Sequence, residues 1–417
     1  MIHDLSQEKA VEEIIKTPGI SVLTGGPGRG KTFTVRSLLS TLWSLNSIHP
    51  DKTWMACPTG KAAKVLQDAL GDMITNDGHT PATIHRLLGC RGLMWEYNSS
   101  NRLPADCIII DEASMVDSAM LARIIDSISI GCKIVLVGDA DQLPPVSAGN
   151  PFHDIVKAGI NVNRLEINHR QQEGSLIADA CDKIITGVKP NFGITGEHSL
   201  GGKREDDFFH IQEEDKEEIP GVVASLAKQW NIDEDDYCIL APQRTGPCGV
   251  ENLNLFLQDT LNPPARDVPE LIMSKWLTLR EGDKVLHTKN NYELEVFNGF
   301  TGRIVGIDTS DRIIVVDYDG RLVTYNQPGY LAQLTLGYCL TVHKSQGSQF
   351  KYGVVACHST HSYMWSRQLL YTAVSRFKEA LYIVGDKKGL QRARTHSIEN
   401  VRNTYLDLAF KGEAQDI

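Results

Sequence analysis

The densest chemistry in this sequence lies in eight consecutive residues, GGPGRGKT, Gly25 to Thr32. They fit GxxxxGK[ST] at every fixed position, between a short apolar run (GISVLT, 19–24) and an amphipathic stretch. Glycines let successive backbone N–H groups curl round a phosphate, and a helix N-terminus adds positive potential there. Gly26, Pro27, Gly28, Arg29 and Gly30 would form the cradle, with Phe33 in the first helical turn. Lys31 would neutralise β- and γ-phosphates, and Thr32 would ligate Mg²⁺ through its hydroxyl. For the Arg29 side chain, the plainest expectation is that it points into solvent.

Such a cradle needs an acidic partner at the tip of a buried strand, and CIIIDEAS (107–114) supplies one. Asp111 would hold Mg²⁺ through its waters, and Glu112 would polarise an attacking water as general base. Taken alone, an acidic pair after an apolar run reads as a helix N-cap. A further strand end, VGDADQLPPV (137–146), places Asp139 and Gln142 to sense a γ-phosphate, while Pro144 and Pro145 stiffen the turn.

Positioning these groups requires parallel sheets. Short β-branched runs at 19–24, 53–57, 106–111, 133–139, 237–242, 352–357 and 380–386 alternate with helical patterns. That order predicts an α/β fold with helices on both sheet faces and ligands at the carboxyl ends of the strands. From about Gly282 to Leu334 short alternating runs replace the helical period, which predicts a small antiparallel β-barrel inserted in the second α/β part. Residues 90–106 read as a β-hairpin turning at NSSN (98–101).

Composition sets the class. The 417 residues predict two to four domains, with 41% apolar and 23% charged residues as in ordinary globular chains. No run approaches the roughly 18 apolar residues that span a bilayer, and the acidic N-terminal stretch is unlike a signal peptide. Nine scattered cysteines without a CxxC pair predict reduced thiols in a cytoplasmic setting. His358 and His361, in CHSTH, lack further ligands at metal-site spacing. The net charge of −10 is concentrated: residues 205–236 hold twelve acids and two lysines, and the remainder balances at 40 against 40. A solvated acidic face there leaves room for basic tracks elsewhere.

The motifs also occur in a telling order. GGPGRGKT is followed by CPTGKAAKVL (57–66), TIHRLLG (83–89), IIIDEASMVD (108–117), VGDADQLPPVSAG (137–149) and NHRQ (168–171). Then come LAPQRTGPCGVENLN (240–254), GDKVLHTKNNYELEVFNG (282–299), LTVHKSQGSQF (340–350) and LLYTAVSR (369–376). The set resembles superfamily 1 DNA helicases of the RecD-like class, which includes the phage Dda helicase, over nearly the whole chain.

The resemblance implies two tandem RecA-like P-loop motor domains, ATP in the cleft between them and single-stranded DNA crossing both. It places the first motor at 1–172, with the hairpin insert at about 90–106. The second motor would take 173–280 and 335–417, around an SH3-like insert at 281–334. Gln7 resembles the adenine-reading glutamine, although a surface glutamine on an amphipathic helix would look the same. Arg170 and Arg376 match arginines that reach the γ-phosphate, where a planar fork of donors follows transition-state charge. Gly347 matches the glycine that approaches the nucleotide. Gln349 stands where relatives often have a ribose-binding Glu, and His169 replaces a usual aromatic. Pro58, Thr59, Thr83, His85, Thr341, His343 and Lys344 match positions that line the DNA strand. Trp95 and Tyr97 lie on the hairpin where relatives carry a strand-separating pin, and packing against the motor is the competing role.

The reading that follows is an ATP-dependent helicase moving 5′ to 3′ on single-stranded DNA and opening single/double-strand junctions. A monomeric motor is expected, and the position of Gln7, which begins the first motor almost at once, favours a free-standing enzyme. The alternative is an ATP-gated single-strand-binding subunit of a larger replication, recombination or repair complex. No membrane association is expected.

Overall fold

The computed structural model describes residues 4–73, 79–169, 174–193, 207–230, 236–291 and 293–398. The chain divides into two compact units between Ala178 and Asp179, six residues beyond the expected 172/173 boundary.

In the first unit the strands are β1 (Ile20–Thr24), β2 (Thr53–Cys57), β3 (Ala82–Thr83), β4 (Cys90–Arg91), β5 (Met94–Trp95), β6 (Cys107–Ile110), β7 (Lys133–Gly138) and β8 (Val162–Arg164). Six of them form one parallel sheet in the order β3-β2-β6-β7-β1-β8. Side chains alternate across a strand, so a sheet covered on both faces needs continuous apolar runs. The run in β6 shows this directly. Ile109 packs with Leu23, Val135 and Val137 beneath helices α1 (Leu5–Lys16), α2 (Lys31–Ser44) and α3 (Gly60–Leu70). Ile108 and Ile110 face the other way, onto Ile84, Leu121, Ile124 and Phe152.

The hairpin differs from expectation. Its strands β4 and β5 pair antiparallel with Cys90 opposite Trp95, so the chain reverses at Gly92-Leu93. Gly92 at φ +65° in the first central position suits a tight two-residue turn. The NSSN segment forms a separate turn in which Asn98 Oδ1 accepts from the amides of Ser100 and Asn101.

The second unit contains β9 (Phe208–Gln212), β10 (Tyr237–Ala241), β11 (Glu270–Ser274), β12 (Leu277–Arg280), β13 (Lys284–His287), β14 (Thr301–Asp308), β15 (Ile313–Tyr318), β16 (Arg321–Tyr325), β17 (Leu334–Leu336), β18 (Cys339–Thr341), β19 (Phe350–Ala356) and β20 (Phe377–Gly385). A parallel sheet runs β18-β10-β19-β20-β9. The β-rich insertion is an antiparallel sheet in the order β16-β15-β14-β13-β17. It is preceded by a hairpin, β11–β12, in the stretch that the sequence reading left within the α/β part.

Helix Val250–Leu261 clasps the insertion at both ends. Asp283, fully buried, accepts hydrogen bonds from Gln258 Nε2 at 2.6 Å, the Arg280 amide at 2.7 Å, Asn262 Nδ2 at 2.8 Å and the Tyr338 hydroxyl at 3.0 Å. Burial pushes its carboxyl up, and these donors pull the other way. Asn254 closes the far end, accepting from the Cys339 amide at 2.8 Å and donating to the carbonyls of Leu336 and Cys339. One apolar core runs from Ile239, Val354 and Tyr382 of the parallel sheet through Leu253 and Leu257 to Val285, Ile304 and Val316 of the insertion.

Inside the insertion, His287 is buried beside a pair of tyrosines. The Tyr325 hydroxyl lies 3.0 Å from His287 Nδ1 and 2.7 Å from the Tyr318 hydroxyl. Burial lowers the imidazole to about 4, against a hydrogen-bonding contribution from Lys289 that raises it. Below the ordinary value of 6.5 the unfolded chain therefore binds the proton that the folded one refuses. Stability should fall by about 1–3 kcal/mol as pH drops from 6.5 to 4. Denaturant titrations of the parent chain and of His287→Gln across that window check this, and the variant should show the smaller decline.

Candidate active site

The phosphate loop follows β1 and opens α2 as the pattern requires. Gly28 and Gly30 take φ values of +75° and +81°, which L side chains seldom adopt. The Lys31 ammonium donates to the carbonyls of Gly25 at 2.6 Å and Gly26 at 3.1 Å, reaching back across the loop. Arg29 does not point into solvent. Its guanidinium donates to the carbonyls of Leu165 at 3.2 Å and Glu166 at 3.1 Å, tying the loop to the chain beyond β8.

Gln7 is only 2% exposed, so it is not a surface glutamine of α1. Asp4 caps that helix and accepts from the Gln7 amide at 2.9 Å. This leaves the Gln7 side chain over the loop, with Nε2 3.5 Å from the Arg29 carbonyl and 3.3 Å from His169 Nε2. His169 in turn lies 3.1 Å from the Asp4 carboxylate. A Cβ on Gly30 would come within 2.3 Å of Gln7 Nε2, so any side chain there would displace the glutamine's amide, and the φ of +81° disfavours one as well.

Asp111 and Glu112 stand at the tip of β6, two strands from β1 in the sheet. Asp111 Oδ1 accepts the Glu112 amide at 2.8 Å. Burial first, and then the Glu112 charge, push the Asp111 carboxyl up to about 6, with Lys31 pulling it down. A partly buried carboxylate beside a like charge is a fitting ligand for a divalent cation, whose charge offsets both effects. Glu112 itself sits at φ +52°, the left-handed region that non-glycine residues seldom occupy. It precedes the short turn Ala113–Met115, and no capping bond is made by its side chain. Backbone strain of this kind, about 1–3 kcal/mol, collects at functional sites.

At the tip of β7, buried Asp139 accepts from the Asp141 amide at 3.1 Å and from Gln142 Nε2 at 3.2 Å. Gln142 Oε1 is a buried acceptor without a hydrogen-bond partner among the described residues. Thus the carboxyl edge of a single sheet brings together Lys31, Thr32, Asp111, Glu112, Asp139 and Gln142. Arg170 lies outside the described residues.

The candidate strand-lining residues fall at strand tips too. Cys57 of β2 is in register with Thr83 of β3, so Pro58-Thr59 and Thr83–His85 emerge side by side. Thr59, Thr83 and Thr341 each begin a helical turn, accepting from the amides of Ala62, Arg86 and Lys344 respectively. A hydroxyl that accepts as a cap keeps its own proton to donate, so capping and phosphate binding are compatible. Burial lowers both His85 and His343, keeping these rings neutral at physiological pH.

In the second unit Arg376 is buried. Its guanidinium donates to the Ser348 carbonyl at 3.3 Å, between Gly347 and Gln349, and to Ser375 Oγ at 3.1 Å. Gly347 has φ +74°.

The hairpin aromatics pack against the first unit, the role set beside that of a strand-separating pin. Trp95 and Tyr97 are half-buried against the inner face of the first sheet. The Arg123 guanidinium lies 4.6 Å from the Trp95 ring centre, and His85 lies 5.5 Å away. The apolar tip is instead Leu93, 99% exposed, and Met94, 75% exposed. Sequence reasoning missed these two because it set the turn at the polar NSSN rather than at Gly92.

Comparison with known proteins places these features in a family. Residues 3–200 match a model described as an AAA domain, 253–318 the SH3 domain of ATP-dependent RecD-like DNA helicases, and 336–384 the UvrD-like helicase C-terminal domain. The chain is 32% identical to the ATP-dependent RecD2 DNA helicase of Deinococcus radiodurans, over 96% of its own length and 52% of that protein's. It therefore spans about half of that relative. It is also 32% identical to the RecBCD enzyme subunit RecD of Mycolicibacterium smegmatis, over 93% of this chain and 72% of the subunit. Among solved structures, the Pif1 helicase from Bacteroides in complex with ADP-AlF3 and ssDNA shares the fold, with a TM-score of 0.57 and 20% identity. That match covers 99% of this chain and 98% of the other.

Proposed function

The chain belongs to the RecD-like DNA helicase family, and from that premise we propose that it is an ATP-dependent DNA helicase translocating 5′ to 3′ on single-stranded DNA. The observation that carries the proposal is the shared carboxyl edge of the first sheet. It holds the phosphate loop and its acidic partners together with the paired strand tips of Pro58-Thr59 and Thr83–His85. Nucleotide chemistry and strand grip thus rest on one rigid support, as coupling hydrolysis to movement requires.

In this reading Gly26 to Phe33 cradle the triphosphate, Gln7 reads the adenine, and Glu112 orients and deprotonates the attacking water. Gln142, held by Asp139, follows the γ-phosphate. Thr32 and Asp111 would hold Mg²⁺, which neutralises charge on the phosphate oxygens. Arg170 and Arg376 supply the finger charges, and Gly347 and Gln349 border the nucleotide. Thr341, His343 and Lys344 extend the strand contacts. Two motor domains at 1–172 and 173–417, interrupted at 281–334, complete the proposal, with a monomer working at single/double-strand junctions in the cytoplasm.

The test is a paired assay on purified protein: ATPase with and without single-stranded DNA, and unwinding of 5′- and 3′-tailed duplexes. Strong stimulation and opening from the 5′ tail are expected. Equal use of the 3′ tail would overturn the polarity. Stimulated ATPase without any unwinding would favour the subunit reading, which the match to RecD of the RecBCD enzyme makes concrete.

A further inference from the structure

We infer that the second unit carries a base-stacking subsite for a single nucleic-acid strand, with Trp276 as its platform. The inference rests on the proposed strand contacts of Thr341 and Lys344 and extends them to Trp276, which no motif marks. Both line a groove of about 970 Å³, at the upper end of the range for ligand sites. The opposite wall is built by the β11–β12 hairpin and the insertion, which contribute Trp276, Thr288 and Lys289.

Two features of the groove select the occupant. Its charged lining is Arg244, Lys289 and Lys344 against Glu251, a local balance of +2 in a chain whose net charge is −10. Arg244 and Glu251 pair at 2.7 Å, which leaves both lysines to set the sign. A polyanion is the fitting ligand. The second feature is Trp276 itself, 78% exposed at the two-residue link between β11 and β12. Among the described residues of this unit the other tryptophans, Trp230 and Trp365, are buried, as are Tyr325, Tyr371 and Tyr382, while Tyr363, 69% exposed, does not line the groove. The Lys275 ammonium lies 4.9 Å from the centre of the Trp276 ring, so one face of the indole carries a cation and the other is left for a nucleobase, and every base has a face to match. The two lysines of the groove would hold flanking phosphates, while the Thr341 hydroxyl, which accepts from the Lys344 amide, keeps its proton to donate.

The experiment measures binding of the full chain to oligo-dT and to an abasic oligonucleotide of equal length, at several salt concentrations. Trp276→Ala should weaken oligo-dT binding about 5- to 100-fold and leave abasic binding unchanged, whereas Trp276→Phe should keep most of the affinity. Lys289→Ala should weaken both ligands alike and reduce the salt slope by about one. If Trp276→Ala bound oligo-dT as the parent does, or lost both ligands equally, the stacking subsite would be wrong while the helicase reading stood. If the parent chain bound neither oligonucleotide, the reading beneath it would fall as well.

Discussion

Replacing Glu112 by glutamine should slow ATP hydrolysis about 10²–10⁴-fold while leaving nucleotide and DNA binding in place. The substitution keeps the side chain's size and polarity and removes only its capacity to take a proton. It also keeps the backbone demand: position 112 must occupy φ +52°, and that cost is the same for either residue. Its Asp111 neighbour should lose a repulsive charge, and the anionic nucleotide a nearby carboxylate, so ATP binding should survive. Lys31→Ala makes the contrast, because it removes the one cation that reaches across the loop to Gly25 and Gly26 and should abolish hydrolysis through lost phosphate binding. Single-turnover hydrolysis alongside nucleotide affinity separates the two. Near-normal turnover in Glu112→Gln would make Glu112 a structural residue of the turn, with the base to be sought elsewhere.

The second large effect concerns the hairpin. Pulling a strand and parting a duplex are separate tasks, and the latter needs a rigid obstacle at the fork. Apolar side chains that insert between base steps are suited to it. On this hairpin they are Leu93 and Met94, whereas Trp95 is held by Arg123 and His85 and Tyr97 is half-buried against the core. The double substitution Leu93→Ser, Met94→Ser should therefore cut unwinding about 10- to 100-fold and leave DNA-stimulated ATPase nearly intact. Both side chains are exposed, so the fold should tolerate the change. If unwinding persisted at the parent rate, the wedge would lie elsewhere, with the β insertion as the next candidate.

What the sequence disclosed follows from how local each signal is. The phosphate loop is a contiguous pattern between β1 and α2, so the placement of its glycines, lysine and threonine was legible by type and spacing. Asp111 and Gln142 were legible because apolar strands end abruptly in polar residues. The β insertion announced itself by a change of period. Contacts between distant segments left no such trace. Nothing near Arg29 indicates that it reaches the carbonyls of Leu165 and Glu166, and nothing near Gln7 indicates its burial beside His169. The hairpin turn was misplaced because NSSN has the composition of a turn, while the Gly92 that makes the reversal stands beside an apolar leucine. Trp276 escaped because a lone tryptophan in a sequence is by default a core residue.

The clasp on the insertion has a mechanical meaning. Gln258 holds Asp283 where the chain enters, Asn254 holds Leu336 and Cys339 where it leaves, and one close-packed core spans the interval. Close-packed interiors are stiff and transmit strain rather than absorb it. The same core reaches from Ala380 and Tyr382 of β20, the strand that follows Arg376, to Leu271 and Leu279 of the β11–β12 hairpin. A displacement imposed on β20 should therefore be carried to the base of that hairpin, as a pawl is driven by its arm.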